Sequence, residues 1–258
     1  MPGPCFYRDP MARSGGVIAW LVEHLGVLVG AAIGAVVMAW VAALVVLGEL
    51  DDVPGWWPGL DPAAPETVEA ADRLERAFMS QTSRVREPGD DGGADWAVRV
   101  SEESTNAWLA VRLRDWAIDA GALWPEQVEG VRIGFENGRV MLGVRVLHDA
   151  GASVLWLDCT PEIREDGSLW IRLHGARVGS LRVPRAWVIG QLEQHLRAQA
   201  RGGTLDGRAL GDVLSGRAPI TKEPMVHLPD GRDVRVMAIG VDEERDGIVL
   251  SFRTESGH

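Results

Sequence analysis

The chain has 258 residues, 46% apolar and 24% charged, a composition that fits a packed core and excludes a disordered or fibrous protein. A formal charge of −11 at pH 7, with no basic stripe, excludes nucleic acid as a partner, since binding a phosphate backbone needs a net basic surface. Of the 26 basic residues only Lys222 is not arginine.

From Leu25 to Leu47 the sequence LGVLVGAAIGAVVMAWVAALVVL carries no charge. As a helix it would span roughly 34 Å, enough to cross about 30 Å of bilayer hydrocarbon. A buried core helix would not stay apolar on every face for so long. A cleaved leader would have a shorter apolar stretch followed by a small-x-small site. The segment is therefore read as a single membrane span, residues 25–49. Arg8 and Arg13 precede it, while the first basic residue after it, Arg73, stands behind Glu49, Asp51, Asp52, Asp61, Glu66 and Glu69. That asymmetry predicts residues 1–24 in the cytoplasm of a cell with this protein in its inner membrane, and the remainder outside. Gly26, Gly30 and Gly34 fall four apart beside a ridge of small residues, Ala31, Ala35, Ala39 and Ala43. The pattern predicts that two spans pair as a homodimer.

Residues 50–65 contain four prolines and are read as a semi-stiff stalk, with Trp56 and Trp57 suited to the outer membrane interface. Cys5 and Cys159 then lie on opposite sides of the membrane and do not pair. Within 66–95, Val68, Ala71, Leu74 and Phe78 share one face of a short amphipathic helix, and REPGDDGGAD breaks the chain as a loop.

The outer helix-and-sheet domain is placed at 96–258. Trp96, Val98 and Val100 alternate as a strand, then Leu109, Leu113, Trp116 and Ala120 recur at helical spacing. The period changes at Ser101, so SEEST reads as a helix start: a serine cap, then Glu102 and Glu103 facing the positive end of the helix dipole. A hairpin follows, with Val131, Ile133 and Phe135 alternating out, Asn137-Gly138 turning, and Val140, Leu142, Val144 and Val146 alternating back. Residues 153–159 and 168–174 form a second pair of strands about Asp166-Gly167, and ARVGSLRVP leads into a helix begun by RAWVIGQLEQHL. The Gly- and Arg-rich 202–218 stretch is poorly periodic. PMVHL, DVRVMAIGV and IVLSFRT close the chain as strands. The expected class is α+β, an antiparallel curved sheet packed with two long helices.

No GxSxG, HExxH, Walker A, GxGxxG or CxxC pattern occurs, and the histidines have no ligand spacing. DEERDG places Asp242, Glu244, Asp246 and Gly247 as a calcium loop would, but Arg253 stands where a bidentate glutamate is needed. Pairs such as Glu162 with Glu165 or Asp212 have nothing that gathers them into one cleft. The expectation is a protein that is not an enzyme and takes no cofactor or metal.

VSEESTNAWLA, VEGVRIGFENGRVMLGVRV, DGSLWIRLHGARVGSLRVP before a helix, and a final DGR hairpin resemble the YpmS-like family of membrane-anchored bacterial proteins, over roughly residues 97–254. The likeness rests on element order, on Ser101 and Asn106 at the helix start, and on Gly179, Leu181 and Pro184; the 202–218 segment has no counterpart in it. That family is similar to the tubular lipid-binding (TULIP-like) domains, whose long helices lie in a bent sheet and form an apolar groove. The resemblance implies a groove for a lipid or other apolar small molecule and names no catalytic residue. Trp108, Leu109, Leu113 and Trp116 on one helix, with Trp187, Val188, Leu192 and Leu196 on the other, would line it; the alternative is that they are plain core. Beside a non-catalytic lipid-binding module stand two other readings, a ligand-free envelope assembly scaffold and an envelope hydrolase.

Overall fold

A computed structural model describes residues 53–256 except positions 58, 185, 229, 243 and 245 and the segments 87–92, 120–123, 149–150 and 191–206. The expected span, its Gly26, Gly30 and Gly34, and the groove candidates Leu192 and Leu196 lie outside the described residues. Among the described residues no helix is long and apolar enough to cross a membrane.

Helix α1 (Pro65–Ser83) opens on a proline, whose missing N–H is no loss in a first turn. Its buried side is made of Thr67, Ala70 and Ala71, small enough to let it lie close to Ala107 of α2 (Glu102–Val111). Further along, Leu74 and Phe78 pack on the apolar face of a four-stranded antiparallel sheet. That sheet has the order β1 (Gly93–Ser101), β9 (Gly247–Ser256), β8 (Arg232–Asp242), β7 (Met225–His227). Val98, Val100, Val234 and Phe252 form its core, with Trp96 stacked on Phe252 at 4.5 Å between ring centroids.

The second sheet is a five-stranded antiparallel meander: β2 (Val128–Glu136), β3 (Arg139–His148), β4 (Gly151–Ile163), β5 (Leu169–Val178) and β6 (Leu181–Val183). Asn137 and Gly138, at φ 53° and 68°, make the tight turn between β2 and β3 that their residue types predict. Val131, Val144, Leu155 and Val178 meet across the register and form the centre of the main core. Phe135, Val140 and Cys159 of this sheet join Val241 and Ile248 of the other, so the two sheets share apolar contacts. The chain is thus α+β with antiparallel pairing, in two sheets where the alternation pattern alone suggested one.

The SEESTN stretch joins the sheets. Ser101 caps α2, its hydroxyl oxygen accepting the Ser104 N–H at 3.2 Å. One turn on, Asn106 is 1% exposed and acts as a short substitute strand: its Nδ2 donates to the Ile133 carbonyl and its Oδ1 accepts the Ile133 N–H, both at 2.8 Å. Glu102 Oε2 accepts the Phe135 N–H at 2.9 Å. Strand β2 is an edge strand, and these side chains satisfy backbone groups that no neighbouring strand reaches.

The helix expected to run unbroken past Trp116 bends at Arg112 (φ −115°) into α2 and α3 (Leu113–Asp119). The bend sends Leu113 into the core at 2% exposed, while the Arg112 guanidinium reaches Asp72 of α1 at 2.6 Å. Only 186–190 of the second expected helix is described. Within 202–218, where no period was legible, a short helix α4 (Gly207–Leu214) sets Leu214 into the main core.

Candidate functional site

The two faces of the five-stranded sheet do different work. Its inner face receives the described groove candidates. Leu113 and Val188 are 2% and 3% exposed, and Trp108, Leu109, Trp116 and Trp187 pack around them as half-buried residues. Trp108 meets Trp116 edge-on at 6.0 Å and donates its Nε1–H to Glu75 at 2.9 Å. The described members of the two predicted sets therefore meet on one apolar layer, and Leu109 also lines an open cleft.

The outer face is notched by glycine. Gly134 on β2 and Gly143 on β3 leave hollows into which Trp56 and Trp57 settle. A β-carbon at Gly143 would stand 2.7 Å from Trp56 Cη2 and 2.8 Å from Trp57 Cζ3, and one at Gly134 would stand 3.1 Å from Trp56 Cε3. Both positions need glycine because a neighbour's ring occupies the side-chain space. Trp56 also meets Trp156 of β4 edge-on at 5.9 Å. Residues expected as stalk thus lie along the sheet here, held by aromatic contact.

Between this segment and the sheet edge is a cleft of about 490 Å³, a size typical of ligand sites. Val53, Trp57, Leu60 and Pro62 form one wall, Leu109, Ala110 and Arg114 a second, and Trp124 with residues 128–132 the floor. The lining mixes apolar and polar surface, and the charged groups are Arg114, Glu129, Arg132 and Arg145.

Arg132 is the unusual member. It is 6% exposed; Nη1 donates to the neighbouring Val131 carbonyl at 2.9 Å, and Nε has no partner. The guanidinium carbon lies 5.8 Å from the Trp57 ring centroid. Burial pushes its pKa below the ordinary arginine value, with the nearby Glu129 charge opposing that shift. Glu129 is engaged elsewhere, however. Its carboxylate faces Arg145, whose Nε approaches Oε2 at 3.2 Å without hydrogen-bond alignment and whose Nη1 donates to Oε1 at 3.4 Å.

A smaller hollow of about 330 Å³ on the outer face is bordered by Arg139, Trp156, Asp158, His174, Arg177 and Arg182. Here Arg139 donates to Asp158 at 2.8 Å, Arg177 lies over the Trp156 ring at 5.0 Å, and His174 Nε2 bonds the Thr160 hydroxyl at 2.9 Å. In the calcium-loop-like turn Asp242 is taken by Arg99 at 2.9 Å. Among the described residues no group of three or more His, Cys, Asp and Glu side chains is placed to hold a metal ion.

Sequence reasoning missed the outer-face cleft. Arg132 occupies the polar phase of the β2 alternation, where an arginine ordinarily points to water. The available signal was glycine: Gly134 and Gly143 stand inside otherwise regular strands, where glycine marks a close approach by another group. The chain matches no protein-family model, no curated protein and no solved structure.

Proposed function

We propose that this protein is a single-pass inner-membrane protein whose outer domain binds a lipid or other apolar molecule without chemically changing it, in the cleft between residues 53–62 and the five-stranded sheet. One observation carries the reading. The cleft wall begins at Val53, four residues beyond the expected end of the span at 49, and four residues reach at most roughly 14 Å. The opening is therefore tethered close to the membrane surface, where an acyl chain leaving the bilayer would meet Trp57, Leu60 and Leu109. The charged lining also suits holding more than catalysis: three arginines and one carboxylate, that carboxylate already facing Arg145. Within this proposal the fold belongs with the TULIP-like domains, a reading supported by the capped helix after β1 and the meander that follows it. The paired glycines of the span would make the anchor a homodimer.

Native mass spectrometry of the full chain released from detergent micelles tests the proposal. Co-purified lipid, or uptake of added lipid, is the expected result. A clean apo mass that stays unchanged on adding lipid would overturn it.

A further inference from the structure

We propose that the cleft grips the anionic head of its ligand, a phosphate or similar oxyanion, with Arg132. The inference rests on the lipid-binding reading above and names the part of the ligand that reading leaves open.

Arg132 carries a buried charge whose nearest counter-charge, Glu129, is not bonded to it. Arginine stays protonated even when buried, so it cannot escape desolvation by losing its proton, as lysine or histidine can. Buried guanidinium groups accordingly sit against carboxylates, because an unpaired buried charge is costly. Arg132 is 6% exposed, and among the described residues it forms no ion pair, Glu129 acting on its charge only from a distance. The chain is rich in acid, with 37 Asp and Glu residues, so a missing partner is not a matter of supply. The acid nearest in sequence, Glu129, faces Arg145 instead.

Among the described residues the one hydrogen bond Arg132 makes is local, to the Val131 carbonyl, and it leaves Nε without a protein acceptor. A planar guanidinium can present adjacent N–H groups to two oxygens of a phosphate or carboxylate at once. Arg132 lines the cleft, and Arg145 and Arg114 stand along the same lining. Leu109, Trp124 and Trp57 belong to the same lining and would meet the hydrophobic part of an amphiphile. An oxyanion bound here would neutralise the buried charge in a site of low local dielectric, where such contacts are strong.

The test uses the full chain in micelles of a neutral detergent, with phosphatidylglycerol or a diacylglycerol of the same acyl chains added, and inorganic phosphate in a parallel arm. Retained lipid is read by native mass spectrometry and stability by thermal melting. Wild type should retain phosphatidylglycerol over diacylglycerol by about tenfold, the scale of one charge-assisted hydrogen bond. Arg132→Met keeps the packing of the stem and removes the charge. It should bring the two lipids within about twofold of each other, with a melting temperature in plain detergent unchanged or raised. If Arg132→Met does not fold, Arg132→Lys carries the test: it keeps the charge but loses the two-pronged donor, and the preference should fall partway.

If inorganic phosphate alone stabilises wild type and not the variant, while neither lipid is preferred, the oxyanion site stands and its source is a free phosphate. If both lipids are retained equally and phosphate has no effect, this inference fails while the lipid-binding proposal survives. If nothing binds, both fail. A variant that melts lower than wild type yet keeps the full phosphatidylglycerol preference would make Arg132 a structural residue and overturn the assignment.

Discussion

Replacing Asn106 by leucine keeps the side-chain volume near that of the amide and deletes all of its hydrogen bonding. In the native protein both halves of that amide bond the backbone of Ile133, at 2.8 Å each, on an edge covered by α2. With leucine the Ile133 N–H and C=O lose their partners where Asn106 itself is 1% exposed. An unsatisfied buried polar group costs about 1–3 kcal/mol, so two of them cost about 2–6 kcal/mol; the middle of that range, about 4 kcal/mol, is the expected loss. For a domain of roughly 200 residues each kcal/mol moves the midpoint by about 2–4 °C, so the melting temperature should fall by on the order of 10 °C. Tryptophan fluorescence during thermal unfolding of the full chain in detergent reports it. Ser101→Ala, which removes only the cap to Ser104, is the internal standard at about 1 kcal/mol. If Asn106→Leu costs no more than Ser101→Ala, then α2 does not seal the β2 edge as described.

Three further predictions follow from the same contacts. Gly143→Val should eject the Trp56–Trp57 pair, because a β-carbon alone already meets both rings under 3.0 Å; we expect about 1–3 kcal/mol of destabilisation and red-shifted, more quenchable tryptophan emission, and an unchanged spectrum would count against the glycine hollow. Cys159 is 5% exposed, and burial raises its thiol pKa to about 12; in a Cys5→Ser background it should resist a maleimide at pH 8 until the protein is denatured, and rapid labelling of the native protein would contradict its burial. Burial holds the Glu102 carboxyl above its ordinary pKa, with the Phe135 N–H opposing; the stability it contributes is full below the ordinary value of 4.5 and is lost as pH rises through the raised folded value. Glu102→Gln retains an acceptor for that N–H, so its melting temperature should gain on wild type between pH 4 and pH 7, and a wild type that gains on the variant instead would reverse the assignment.

Local pattern determined the elements of this protein. The change of period at Ser101, the Asn137-Gly138 turn and the alternation of β2 through β5 depend on neighbours a few residues away, and the structure has a capped helix, a tight hairpin and antiparallel strands at those places. The described groove candidates were legible as helix faces for the same reason, since helical spacing fixes which side chains share a face. The α1 face was legible too, with Ala71, Leu74 and Phe78 meeting other elements as their spacing suggests.

Tertiary structure alone decided the rest. Asn106 looks like any polar residue in a first turn until Ile133, distant in sequence, is set beside it. Alternation assigns a strand's two faces but not how strands divide between sheets, so the separation of β1 and β7–β9 from β2–β6 depended on pairings such as Trp96 with Phe252, from opposite ends of the domain. At the bend, Arg112 meets Asp72 of another helix. Arg132 is the clearest case: its phase in β2 sends it to the outer face, and only the docking of Trp57 and its neighbours over Gly143 turns that face from water into the floor of a cleft. Desolvation is a property of what covers a residue, and the covering segment lies more than seventy residues earlier in the chain.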